Sequence, residues 1–190
     1  MRSSGVLMHL SSLPSPYGIG TMGKQAKQFV DFLEKAGQTY WQMLPICPTS
    51  YGDSPYQSPS GFAGNPYFID LDILCTKKLL KKSECRSYQW NEKDDTVDYA
   101  LLYKNRYDLL RKAKVRFFEN VPQEYWQFCE KEADWLDDFA LFMALKEAHN
   151  GAQWSEWERP LKFREAEAIA KAKDTYADEI DFWKMLQYLF

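Results

Sequence analysis

The first apolar run, Val6 to Leu10 (VLMHL), is short and bounded by polar residues, as a buried strand would be. A loop punctuated by Pro14, Pro16, Gly18 and Gly20 follows it. From Ala26 the period changes. Ala26, Phe29, Val30 and Leu33 recur at the spacing of one helix face, with Thr21 as the expected N-cap. Gly37 stands where a helix end favours a left-handed residue. Thr39 to Leu44 (TYWQML) is again β-branched, aromatic and apolar, and Pro45 stops it. Strand, helix and strand in this order predict two parallel strands joined by a right-handed crossover. The loops 11–20 and 45–66 then both leave the carboxyl ends of their strands. That is the edge at which open α/β sheets and closed barrels bind ligands.

Further on, Pro66 to Leu74 (PYFIDLDIL) alternates, with Ile69, Leu71 and Ile73 on one side and Asp70 and Asp72 on the other, which predicts a strand or an extended arm. After residue 76 the pattern turns helical. A helix is expected over 97–118, with Leu101, Leu102, Leu109 and Val115 among its apolar positions. One or two more are expected over 125–148, before Asn150 and Gly151 break the pattern. Pro160 ends a tryptophan-bearing connector, and helices are expected over 162–173 and from Ile180 to Phe190. The basic run Lys77 to Lys82 (KKLLKK) reads as a solvated helix turn. There is no internal repeat. The last residues, DFWKMLQYLF, carry an apolar stripe without a cap, which reads as a chain cut short.

Composition narrows the classes. The chain has 190 residues and a net charge of −3, so it lacks the basic footprint of a nucleic-acid binder. No apolar run approaches a membrane span or a signal peptide, and no membrane partner is expected. Four cysteines (47, 75, 85 and 129) include no CxxC pair, and there are two histidines, a spacing that argues against zinc. Scattered reduced thiols fit a cytoplasmic protein.

Three motifs offer chemistry. Gly18, Gly20 and Gly23 spell GxGxxG. However, SSLPSPY separates them from the strand, and strand two ends in Leu44 and Pro45 rather than an acid, so tight turns explain them better than a dinucleotide. His9 inside an apolar run and His149 at a helix end do not compose a catalytic triad, and no GxSxG elbow occurs. Asp53, Asp70 and Asp72 could in principle act as a carboxylate pair, although structural duty suits Asp70 and Asp72 better. The strongest signal is SYGDSPYQSPSGFAGNPY, residues 50–67, with three prolines, three glycines, four aromatic rings and one acid, Asp53. Prolines and glycines fix a path on which rings can be held at low entropic cost. Rings beside amides and hydroxyls suit a sugar, and Tyr51, Ser54, Tyr56, Gln57 and Asn65 offer that mix. Composition alone leaves sugar binding and plain packing of the rings equally open.

The segment YGDSPYQSPSGFAGNPYFIDLDIL resembles the signature of the 4-alpha-glucanotransferases, also called amylomaltases or disproportionating enzymes. RSSGVLMHLSSLPSPYGIGTMG, FVDFLEKAGQTYWQMLPICPTSYG, WLDDFALFMALKEAHNGAQWSEW and DFWKMLQYLF extend the resemblance along the whole chain. Pro59, and the Thr21–Met22 pair, are minor departures. The resemblance implies the α/β fold of a (β/α)8 TIM barrel, here incomplete, its first strands accompanied by mainly helical insertions. Residues 1–75 would form the first βα units with a glucan-binding loop 45–67, and 76–190 a helical flanking region. It implies retaining transfer of an α-1,4-glucan segment to a 4-hydroxyl of glucose or another maltodextrin, by paired carboxylates, with no cofactor and no metal. It assigns Tyr56 to stacking on the donor sugar, Ser54 and Gln57 to the same wall, and Tyr51 to a second glucan groove, while Asp70 keeps a structural role. The family's catalytic carboxylates match no residue here. They are expected after residue 190, and the chain by itself is expected to be inactive. Two alternatives stay open: a non-catalytic maltodextrin-binding module and an alpha-amylase-type hydrolase.

Overall fold

The computed structural model describes residues 2–50, 52–92 and 95–190. The chain forms two compact units, Met1–Asn120 together with Phe190, and Val121–Leu189.

In the first unit, β1 (Gly5–Leu7) pairs in parallel with β2 (Tyr40–Gln42), in the register Gly5–Tyr40, Val6–Trp41 and Leu7–Gln42. α1 (Lys24–Lys35) is the crossover between them. Both strands are shorter than expected. His9 and Leu10 lie outside β1, and a 3-10 turn over Leu10–Ser12 follows it directly. Thr21 does not cap α1. Gly23 takes the N-cap position, and the buried Thr21 hydroxyl donates to Asp70 Oδ2 at 2.6 Å. A Cβ at Gly23 would overlap that same carboxylate, which is what the third glycine of the GxGxxG string is for. On α1, Leu33 is buried and Phe29 meets Trp41 edge to face at 4.9 Å, but Val30 and Phe32 are more than half exposed. So are Leu7 of β1 and Tyr40 of β2. Parallel sheets normally have both faces covered, so this apolar surface is unusual.

Residues 66–74 are not a strand. Asn65 accepts the Tyr67 N–H at 3.0 Å and starts a 3-10 turn over Pro66–Phe68. Asp70 accepts the Ile73 N–H at 2.9 Å and starts α2 (Leu71–Thr76). The polar caps Asn65 and Asp70 override the period-two alternation, and Leu71 and Leu74 are buried at helical spacing. The basic run bridges α2 to α3 (Lys82–Arg86) rather than forming a helix turn, with Lys78 left-handed at φ 63° and Leu80 buried.

α4 (Tyr99–Glu119) lies close to where it was expected, capped by Asp98, whose Oδ1 accepts the Leu101 N–H. Leu102, Leu109, Leu110 and Ala113 are buried, whereas Val115 is exposed. Arg106 is buried among them with no accessible surface. Its Nε donates to the Pro66 carbonyl at 3.3 Å, and its guanidinium also donates to the Ile69 carbonyl. Burial lowers its pKa to about 10, against the pull of Asp70, so it stays charged at neutral pH. Arg116 grips Glu84 with two hydrogen bonds of 2.8 and 2.5 Å and also holds the Leu79 carbonyl. The hydrogen bonds from Arg116 and from the Lys81 backbone bring Glu84 down to about 2.

The second unit is helical: α5 (Gln123–Lys131), α6 (Ala133–Ala148), α7 (Arg159–Lys162), α8 (Ala166–Thr175) and α9 (Ala177–Leu189). The pattern over 125–148 resolves into two helices, and the one over 162–173 is interrupted at Arg164, which is left-handed at φ 55°. Leu141, Leu145, Trp157 and Ala172 form one core cluster in it, with Leu161, Ile169 and Ile180 packed on them. The His149 ring stacks on Trp157 at 5.0 Å.

Replacing Arg106 by leucine would leave two buried carbonyls without their charged donor. Urea unfolding should show a loss of about 3 kcal/mol. A loss below about 1 kcal/mol would mean that Arg106 does not hold the 66–69 segment.

Candidate functional site

Because β1 and β2 are parallel, the chain leaves both at one edge, and an open cleft of about 240 Å³ lies there. His9, Ser11, Ser12 and Ile19 line it from the loop after β1. Leu44, Pro45, Thr49, Asp53 and Pro55 line it from the loop after β2. Asn65, Tyr67, Phe68 and Tyr99 complete the wall.

The long loop is closed on itself rather than loose. Ser50 N–H donates to the Gln57 carbonyl and Gln57 N–H to the Ser54 carbonyl, both at 3.1 Å. Farther on, Ser58 Oγ donates to the Ser60 carbonyl at 2.7 Å, and Ala63 N–H donates to Ser60 Oγ. The Asn65 N–H is tied to the Ile46 carbonyl at 2.9 Å. Gly52 and Asp53 turn the chain with φ of 90° and 55°. An aspartate tolerates that left-handed backbone better than most side chains, and Asp53 is one of the residues that line the cleft.

Partial burial raises the pKa of Asp53. Burial, and then the charge of Asp53, raise the phenols of Tyr67 and Tyr99. These phenols remain O–H donors at any ordinary pH. His9 sets the edge of its ring against Phe68 at 5.5 Å. Its Nδ1 is buried and meets no hydrogen-bond partner among the described residues. Burial lowers its pKa, so it is neutral near pH 7. The cleft thus combines an acid, two phenols, two serine hydroxyls and aromatic edges, a set suited to a neutral polyhydroxylated ligand. Among the described residues no group of three or more His, Cys, Asp or Glu is placed to hold a metal ion.

The residues expected from sequence are distributed unevenly. Asn65 lines the cleft, but its Oδ1 is committed to capping. Ser54, Tyr56 and Gln57 lie in the closed loop beside the cleft and not on its wall, and Tyr56 is 72% exposed. Tyr51 lies outside the described residues. Sequence reasoning missed His9, Tyr67 and Tyr99 as wall residues. For Tyr99 the only signal was its place one residue after an Asp cap. Asp70 and Asp72 do not face one another as a catalytic pair: Asp70 caps α2, and Asp72 accepts the Tyr17 hydroxyl at 2.8 Å.

The chain's two histidines give a direct check on this electrostatics. His149, in the second unit, lies 2.9 Å from Glu158, which raises its pKa, as does its contact with the Leu145 carbonyl. NMR titration should place the His9 midpoint below 6.5 and that of His149 above it. The signs of the stability effects are opposite. The depressed His9 contributes stability above the unfolded pKa of about 6.5 and loses it as pH falls. The raised His149 contributes fully below that value and loses it as pH rises through its folded pKa. Coincident midpoints would refute the burial assigned to His9.

Comparison with known proteins bears on the same residues. The family model for 4-alpha-glucanotransferase matches residues 8–190. The chain is 50% identical over 183 residues to a 4-alpha-glucanotransferase of Clostridium butyricum, covering 96% of this chain and 38% of that protein. It is 46% identical over 193 residues to one of Thermus thermophilus, covering 100% of this chain and 38% of the relative. Its structure superposes on an amylomaltase from Streptococcus agalactiae in complex with acarbose with a TM-score of 0.96 at 39% identity, over 100% of this chain and 39% of that one. The chain therefore spans about 38% of the length of the curated relatives it matches. A family match over nearly every residue, together with the cleft at the edge where both strands end, shows that this chain belongs to the 4-alpha-glucanotransferase family.

Proposed function

We propose that this chain supplies the opening β–α–β part and the donor-side glucan-binding wall of a retaining 4-alpha-glucanotransferase. The carrying observation is the superposition of this whole chain on 39% of an amylomaltase in complex with acarbose, an oligosaccharide. The substrates on this reading are α-1,4-glucans, with glucose or a shorter maltodextrin as acceptor. Residues 1–75 contribute the first βα units of a (β/α)8 barrel, and residues 76–190 a mainly helical region. The apolar surface left open by Leu7, Val30, Phe32 and Tyr40 supports the barrel reading, since neighbouring strands and helices would cover it.

Within the site, Tyr56 offers an exposed ring for the apolar face of a glucose unit, with Ser54 and Gln57 beside it. Tyr51 serves a second glucan groove. Asp53, Tyr67 and Tyr99 hold hydroxyls deeper in the cleft. Bond cleavage needs a nucleophilic carboxylate and an acid/base carboxylate flanking the scissile oxygen. No residue of this chain takes either role. No helix among the described residues is long and apolar enough to cross a membrane, and all four cysteines are free thiols. The free thiols fit a cytoplasmic site of action.

At its natural length the protein should convert maltotriose into free glucose and longer maltodextrins, whereas the 190-residue chain should not. Tyr56→Ala should lower kcat/KM about tenfold, the loss expected for one stacking ring. Reducing ends released without longer products would make it a hydrolase. Maltodextrin binding without turnover at natural length would make it a binding module.

A further inference from the structure

The cysteines were scattered in sequence, but two of them meet in the first unit. Cys75 Sγ, near the end of α2, lies 3.7 Å from Cys85 Sγ in α3. Cys85 is fully buried and Cys75 is half-buried. A disulfide needs about 2.05 Å between the sulfurs, so each would move by less than about 1 Å. The connector between the helices is already fixed. The Leu79 N–H donates to the Leu74 carbonyl, Leu80 is buried, and Arg116 holds both the Leu79 carbonyl and Glu84.

We propose that Cys75 and Cys85 are a modification site, a dithiol that closes to an intramolecular disulfide by exchange with a low-molecular-weight disulfide such as oxidised glutathione. Cys75, the more accessible thiol, loses its proton and attacks one glutathione sulfur. One glutathione leaves as the thiol and a mixed disulfide remains on Cys75. Cys85 then loses its proton and attacks Cys75 Sγ, and the second glutathione leaves as the thiol. Two protein thiols are oxidised, one small disulfide is reduced, and the two protons end on two glutathione thiols.

The bridge would tie down the packing behind one wall of the cleft. The Cys85 carbonyl accepts the Trp90 indole N–H at 3.0 Å, and Trp90 meets Tyr17 edge to face at 5.8 Å. Tyr17 in turn donates to Asp72, one turn before Cys75. Tyr17 belongs to the loop whose Ser11, Ser12 and Ile19 line the cleft. Burial, and for Cys85 also the neighbouring thiol, raise both pKa values, that of Cys85 to about 12. The hydrogen bond with Cys85, and then Lys82, pull Cys75 down, while Asp72 and Glu84 push it up. Exchange is therefore slow near neutrality and accelerates with pH.

The test is native incubation of the protein with oxidised glutathione, acid quenching, alkylation and peptide mass mapping without reduction. The expected product has lost two hydrogens, carries one Cys75–Cys85 link and regains its mass with dithiothreitol. Its rate of formation should rise roughly tenfold per pH unit between pH 7 and 8. Cys75→Ser, at the half-buried position, should abolish the link and leave Cys85 unglutathionylated. Persistent glutathione on Cys75 of the wild-type protein, links to Cys47 or Cys129, or no oxidation at all would each overturn the proposal.

Discussion

Two strands that run the same way cannot be joined by a hairpin, so the pairing of Gly5–Leu7 with Tyr40–Gln42 requires a crossover. Three paired residues on each strand are few, yet the direction of pairing decides where everything after them goes. It sends the chain out of both strands at one edge, so His9 and Ser11 come to face Leu44 and Thr49 across a cleft. An antiparallel pairing of the same two segments would put those loops at opposite ends. The site is thus a consequence of strand direction before it is a consequence of any side chain.

Strand direction does not by itself fix the third wall of the cleft, and there buried polar groups take over. Residues 65–70 run without strand or α-helix partners, so their backbone groups need hydrogen bonds from elsewhere. The Asn65 side chain accepts from Tyr67, its own N–H reaches Ile46, and Arg106 supplies donors to the Pro66 and Ile69 carbonyls. Asp70 then caps α2 with one oxygen and binds Thr21 with the other. A buried arginine is costly alone. Here it satisfies the Ile69 carbonyl and joins the Ile69 N–H on the Pro66 carbonyl, and Asp70 favours its charge. This small network carries Asn65, Tyr67 and Phe68 to the cleft from a segment whose alternation looks like a strand.

The parts of the fold legible in sequence are those set by local rules. The β–α–β order, the left-handed Gly37 and helix α4 follow from period and turn chemistry. Two of the misreadings share one cause. Thr21 looks like an N-cap, and Ile69, Leu71 and Ile73 look like a strand face, because the deciding partner, Asp70, is distant from Thr21 and acts on its own segment as a cap. A side chain that serves two elements at once leaves no periodic trace. The same holds for the cleft. The loop that bears it is conspicuous by composition, but Tyr99 reaches it from a helix more than thirty residues later, and His9 reaches it from what reads as a strand interior.

The question of whether the loop's rings pack the fold or face outward divides by residue. Tyr67 is buried beside Tyr99 and Tyr107, at about 6 Å from each, and its ring belongs to the wall. Tyr56 and Phe62 are more than 70% exposed, on a loop whose turns are closed by their own hydrogen bonds. A large ring in water is ordinary when single and mobile. Two of them carried on hydrogen-bonded turns of the same loop that gives Asp53 and Pro55 to the cleft are placed at an entropic cost the turns have already met, which favours whatever flat, partly apolar ligand next covers them. On the proposed function that ligand is a chain of glucose units, each with an apolar face to lie on the rings and a rim of hydroxyls to reach Asp53 and the serines.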